Sequence, residues 1–258
     1  MVAACASGSA ADVDGPPAYL ALGDSVAFGY DPLTDNAHQP QNTGYVELLG
    51  SQRGLDVTNA SCPGEASGGF ISPDGNDNGC RDNRQLYSLH VDYKGTQLAF
   101  AIDYLKKHPS TELVTIDLGA NDVSKLNRMC QAQFSCVLAG ITTTLLDYDK
   151  NMNFILGELR KVYDGPLVGM GIYNPYPNDS TAEWGLGKLN GMFAAELAAH
   201  DGVFVDGLAA FKAVSADPCA DGLLIKMPDG TCDIHPTAKG HEILATAIET
   251  TLTGTVTQ

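Results

Sequence analysis

Nowhere in the chain do roughly 18 apolar residues follow one another, so no segment reads as a membrane-spanning helix. Positive charge is scarce: 15 Lys and Arg face 31 Asp and Glu, a formal net charge of -16. Such a chain repels nucleic-acid phosphates and anionic membrane surfaces, and neither is an expected partner. The close Cys-x-x-Cys spacing of the commonest zinc sites is missing, and no metal is expected. There is also no internal repeat, low-complexity tract or interior linker, which leaves one domain as the expected organisation. Charged residues make up 18% and apolar ones 44%, the balance of a globular rather than a disordered protein.

Cysteine, by contrast, is present seven times. Cys62, Cys80, Cys130, Cys136, Cys219 and Cys232 fall into three sequence-local couples in stretches rich in Gly, Asn, Asp and Pro. We expect disulfides 62–80, 130–136 and 219–232 and an oxidising compartment, secreted or cell-envelope. Cys5 follows Val2-Ala3-Ala4, which resembles the end of a bacterial lipoprotein signal. The charged and long apolar parts of such a signal are missing, so this reading takes the copy as truncated behind a new Met1. Residues 1–17, rich in Ala, Ser, Gly and Pro, are then a flexible tail or tether, and the domain runs over 18–258.

Short apolar runs alternate with helix-compatible segments. Strands are predicted at 18–22, 55–60, 113–118, 167–172 and 203–206, with helices near 44–53, 95–107, 140–162, 186–200 and 236–251. Near-continuous apolar strands separated by helices indicate a parallel sheet covered on both faces. The fold class is therefore α/β, a three-layer α/β/α, flavodoxin-like arrangement around a five-stranded parallel sheet. Ligand sites in such sheets gather at the carboxyl ends of the strands. The residues there are Gly23-Asp24-Ser25, "SCPGEASGG", "GAND" and "YNPYPN", with "CDIHP" before the last helix.

Those blocks resemble the SGNH hydrolases, also called GDSL-type lipases or esterases, and more specifically their disulfide-rich bacterial secreted members. Four marker residues match in family order: Ser25 in "GDS", Gly64 in "CPGEASG", Asn121 in "GAND" and His235 in "DIHP". The resemblance implies a serine carboxylesterase that works through an acyl-serine intermediate without a cofactor. Ser25 is the expected nucleophile and His235 its base, since neutral imidazole can take the hydroxyl proton near physiological pH. Pro236 favours an extended backbone at His235 and suits the opening of the following helix. The backbone N–H groups of Ser25 and Gly64 and the amide of Asn121 are the implied oxyanion hole. Gly64 is expected to keep the backbone open to substrate. Asp24 and Asp122 are read as loop organisers. The other histidines, His38, His90, His108, His200 and His241, are read as surface or helix residues.

One position departs from the family pattern. Most relatives carry an Asp three residues before the histidine, and here that residue is Cys232. Asp233, two residues before His235, projects to the same face of an extended segment and is the favoured third member. The alternative is a backbone carbonyl, that of Cys232, orienting the ring. Tyr173 and Asn174 are expected to border the substrate cleft, and Leu223, Leu224 and Ile225 to line an acyl pocket. The loop Asp74–Gly79 matches half of an EF-hand calcium loop, but Gln85 stands at the closing position, and a plain turn is expected. With no obvious apolar lid region, short acyl esters are the expected substrates and the chain an expected monomer. The same scaffold also suits a carbohydrate deacetylase, an acyltransferase or lipase, or, more remotely, a non-catalytic surface-binding protein.

Overall fold

The computed structural model describes residues 15–34, 43–86 and 88–255. Cys5 with its lipoprotein-like motif, most of the expected tail and His38 lie outside these residues.

Five parallel strands form the central sheet: β1 (Ala18–Gly23), β2 (Asp56–Asn59), β3 (Leu113–Asp117), β4 (Leu167–Met170) and β5 (Val203–Val205). Their order is β2-β1-β3-β4-β5, the flavodoxin-like order expected from the alternating pattern. The strands read as continuous apolar runs because both faces are covered. Along β1, Leu20 and Leu22 enter one core while Tyr19 and Ala21 enter the other, as the two-residue period of a strand requires.

The first core lies under α5 (Gln97–Lys107), α7 (Phe134–Arg160) and α8 (Ser180–Ala199). Leu98, Leu105, Met152, Ile155, Leu159, Phe193 and Leu197 fill it. The opposite face is covered by α2 (Tyr45–Arg53), α9 (Gly207–Val214) and α10 (Ala238–Thr255) through Val46, Leu49, Phe211, Leu244 and Ile248. Four further helices were not expected: α1 (Ser25–Phe28), α3 (Ser67–Ile71), α4 (Cys80–Leu86) and α6 (Ala120–Met129). α7 begins six residues earlier than predicted, at 134 rather than 140. No described helix is long and apolar enough to cross a membrane.

A second, two-stranded sheet was also not foreseen: β6 (Leu224–Lys226) pairs antiparallel with β7 (Cys232–Pro236). His235 therefore sits on a strand rather than a loop, and α10 starts two residues after Pro236. Leu223 and Leu224, expected in an acyl pocket, are instead core residues of the α10 side. Ile225 is buried as well. The three cysteine couples are bonded as expected, with Cα separations of 5.6, 5.5 and 5.8 Å for 62–80, 130–136 and 219–232.

Candidate active site

The strand order reverses between β1 and β3, and a crevice opens at such a switch point outside the carboxyl ends of the two strands. Ser25 follows β1 there, as the first residue of α1. Asn121 follows β3, in the first turn of α6 rather than on a loop. β7 brings His235 to the same place, and its Nε2 lies 2.9 Å from Ser25 Oγ although 210 positions separate the two residues.

The other ring nitrogen, Nδ1, hydrogen-bonds the Asp233 carboxylate, whose Oδ1 also accepts from the backbone N–H of His235 at 3.0 Å. An ionised carboxylate only accepts, so Nδ1 carries the proton and Nε2 faces the serine with its lone pair. Burial by itself would push the Asp233 carboxyl up, but the hydrogen bond and charge of His235 outweigh it and hold the group below its ordinary value. The orienting partner is thus the Asp233 side chain. Cys232 contributes differently, tying the same strand to Cys219.

Tyr173 and Asn174, expected to border the cleft, follow β4 at the carboxyl edge of the sheet. Both are buried. The Tyr173 hydroxyl donates to the carbonyl of Ile234, between Asp233 and His235, at 2.5 Å, and its ring stacks on Phe211. Asn174 Oδ1 accepts from the backbone N–H of Tyr176 at 2.8 Å. Tyr173 therefore holds the strand that carries the imidazole, while the ring of Tyr30 lies 4.8 Å from that of His235.

The Asn121 amide is held at both ends. Its Nδ2 donates to Asp24 Oδ2 at 2.9 Å, and its Oδ1 accepts from Asn78 Nδ2 at 2.8 Å. A primary amide has two N–H groups, so one remains after the bond to Asp24. Asn78 also donates its backbone N–H to the carbonyl of Gly64 at 3.0 Å. Gly64 has φ +86°, and a Cβ there would stand 3.0 Å from Asn78 O and Cys80 N. The 78–80 backbone and the left-handed conformation by themselves demand glycine here, a reason the sequence did not offer. The Asp74–Gly79 loop is accordingly a buttress for two expected oxyanion residues. Arg81 binds it together: its Nε donates to Asp77 at 2.7 Å and its guanidinium reaches the carbonyls of Pro73 and Gly75. Among the described residues no group of three or more His, Cys, Asp or Glu is placed to hold a metal ion.

Beneath this surface lie buried acids, of which the sequence singled out only Asp24 and Asp122, as loop organisers. Asp117, at the end of β3, accepts from the backbone N–H of Asp24 at 2.9 Å and from the Tyr45 hydroxyl at 3.2 Å. A Cβ on Gly23, whose φ is +140°, would lie 1.8 Å from Asp117 Oδ1, so only glycine fits over this carboxyl. Burial first, and then the neighbouring Asp24 charge, push Asp117 up. Asp24 itself is pushed up to about 6 by burial, although its bond from Val26 N–H, the charge of His235 and the Asn121 amide pull the other way. Gln97 grips the peptide two residues before the serine, accepting from Gly23 N–H at 2.9 Å and donating to Gly23 O at 2.8 Å. The same amide donates to Glu65 at 3.0 Å, next to Gly64. Burial pushes Glu65 up to about 8. A buried bridge thus joins the serine turn to the Gly64 loop, which Cys62–Cys80 closes from the other side. Asp122 accepts from Ser67 Oγ at 2.5 Å and Ser67 N–H at 3.1 Å, tying α3 to α6. His241, read as a surface or helix residue, is on α10 but buried. Its Nδ1 accepts from Tyr45 N–H at 3.2 Å, and burial lowers it to about 4.

The model of the GDSL-like lipase/acylhydrolase family matches residues 21–243. The chain belongs to that family. As a GDSL hydrolase it is an ester-hydrolysing enzyme, an esterase or lipase in the broad sense. Its fold is shared with phospholipase A1 from Streptomyces albidoflavus NA297 at 19% identity and a TM-score of 0.64, over 92% of this chain and 100% of that one. A lipase from a goat rumen metagenome matches at 17% identity and TM-score 0.62, over 91% and 97% of the two chains. An acetyl xylan esterase from Geobacillus stearothermophilus gives 17% and 0.60, over 92% and 95%. No curated protein sequence matches this GDSL hydrolase significantly. The three disulfides are those of an extracellular or envelope protein.

Proposed function

We propose that this GDSL hydrolase is a serine carboxylesterase that cleaves acyl esters through an acyl-serine intermediate. The observation that carries the reading is the 2.9 Å contact between Ser25 Oγ and His235 Nε2, with Asp233 on the far side of the ring. Ser25 Oγ attacks the ester carbonyl and passes its proton to His235 Nε2. The imidazolium then gives that proton to the departing alkoxide, leaving the acyl group on Ser25. Water, deprotonated by the same nitrogen, hydrolyses the acyl-serine and restores the hydroxyl. Asp233 keeps the ring in the one useful tautomer and stabilises its charged form.

The tetrahedral oxygen takes its hydrogen bonds from the N–H groups of Ser25 and Gly64 and from the spare N–H of Asn121. The fixed position of that amide between Asp24 and Asn78 supports this role, because donors set in place before the reaction need no reorganisation during it. We read the enzyme as an exported bacterial monomer. Lipidation of Cys5 is supported by the small residues before it alone. Hydrolysis of p-nitrophenyl acetate tests the reading: the wild type is expected to turn over, and Ser25→Ala is expected to lose the activity while staying folded. A Ser25→Ala variant that keeps the wild-type rate would overturn it, and a chain-length series of p-nitrophenyl esters reads the acyl preference.

A further inference from the structure

α6 and α7 form a helical hairpin that stands clear of the sheet. Tyr148 marks the level of the sheet's carboxyl edge, since its hydroxyl donates to the carbonyl of Leu118, just past β3, at 3.1 Å. From Tyr148 onward α7 is embedded in the core through Met152, Ile155, Leu156 and Leu159. Leu145 still packs against that core, so residues 134–144 project beyond it by about 16 Å at the rise of an α-helix. α6 climbs the same way from Asn121, and a Cβ on Gly140 would be 2.6 Å from Leu126 Cδ1, so the two helices pack closely. The tip turns through Gln131 and Ala132, both left-handed, and is clamped by Cys130–Cys136.

The surface of this hairpin is unlike the rest of the molecule. Met129 and Phe134 are each 70% exposed, Leu138 61% and Leu146 63%. No charged residue occurs from Met129 to Leu146, and between Asp122 and Asp147 the only charges are Lys125 and Arg128. A chain of net charge -16 thus carries one protruding segment without an acid, with an exposed arginine beside its apolar tip. Exposed apolar side chains with an arginine, Arg128, beside them and Lys125 one turn below fit a surface that offers hydrocarbon beneath phosphate. The acidic body disfavours a strongly anionic layer, which leaves a phosphate-bearing but net-neutral one.

We infer that the α6–α7 hairpin docks this enzyme on zwitterionic phospholipid interfaces, with Met129, Phe134 and Leu138 entering the acyl layer and Arg128 meeting phosphate. The base of α6 carries Asn121, so docking brings the Ser25 crevice to the surface from which an acyl ester is drawn. This deepens the esterase reading and rests on it for its purpose, though not for the binding itself.

The test uses the full chain with Cys5→Ser in every arm, so that no acyl anchor contributes, and with Ser25→Ala in the binding arms. Co-sedimentation with phosphatidylcholine vesicles is expected for this chain and is expected to fall about tenfold or more in Phe134→Asp/Leu138→Asp. Met129→Gln/Phe134→Gln is a milder pair expected to weaken binding in the same direction, should the charged pair misfold. With Ser25 intact, both pairs are expected to keep the rate on soluble p-nitrophenyl acetate while losing rate on vesicle-dispersed ester. Equal sedimentation of all chains, or none by the parent, would overturn the inference. So would a parent dimer that Phe134→Asp/Leu138→Asp converts to monomer, which would assign the face to a second copy. An inert parent on p-nitrophenyl acetate that still sediments would fail the esterase reading alone.

Discussion

At the scale of single residues, the site separates groups that do chemistry from groups that hold them. Ser25, His235, Gly64 and Asn121 stood out as candidates because each is a chemistry-bearing or conformationally special residue in a short local context. Asp233 was legible with its alternative left open, and the strand geometry of β7 shows why the spacing of two suffices: both side chains leave one face of an extended segment. Asn78, Gln97 and Glu65 were not legible. Their partners lie far along the chain, 43 positions for Asn78 with Asn121 and 74 for Gln97 with Gly23, and nothing local reports their burial. If Asn121 is a donor of the proposed oxyanion hole, Asn121→Ala is expected to lower kcat by about 10²–10³-fold with little change in KM. Asn78→Ala leaves Asn121 Oδ1 without its donor and is expected to lower kcat by a smaller factor, again without raising KM. Steady-state kinetics on p-nitrophenyl acetate checks both; a rise in KM at constant kcat would argue that Asn78 touches substrate instead.

Among the elements, the five sheet strands were readable because burial on both faces writes them as unbroken apolar runs. The short helices α1, α3 and α4 were not, since four to seven residues carry too little periodicity. The β6–β7 hairpin was missed for a related reason: β6 has three residues and one of its strands carries the Asp, His and Pro of the site. What fixes this hairpin is the Cys219–Cys232 bond across 13 positions together with the Tyr173 hydroxyl on Ile234. The double substitution Cys219→Ala/Cys232→Ala is expected to cost about 2–4 kcal/mol of stability, measured by guanidinium unfolding. Tyr173→Phe keeps the ring stacked on Phe211 but removes the hydroxyl. It is expected to reduce kcat while leaving the fold intact by circular dichroism, because only the support of the His235 strand is lost.

For the molecule as a whole, the buried acids couple folding to pH. Glu65 is raised from an ordinary 4.5 to about 8 and Asp24 from 3.8 to about 6, burial being the chief cause for each. Between those bounds the folded state binds more protons than the unfolded one, so stability declines as pH rises through each window and levels off above it. Glu65→Gln cannot ionise and retains an oxygen for Gln97. Its melting temperature is therefore expected to fall less than that of the wild type between pH 4.5 and 8. Parallel melting curves for the two proteins across that range would argue against a neutral Glu65 in the folded state. The net charge of -16 is a property of the whole chain; the balance of the buried Asp24, Asp117 and Glu65 is a local one, and composition did not distinguish them.

The most direct test of the catalytic claim is covalent. Treatment with diethyl p-nitrophenyl phosphate, followed by peptide mass spectrometry, is predicted to place a single diethylphosphoryl group on Ser25 and to abolish ester hydrolysis in proportion. The same labelling is predicted to be slower by about 10³-fold or more in His235→Ala, where the base is gone. An adduct on another residue, or labelling of Ser25 as fast without His235 as with it, would contradict the account.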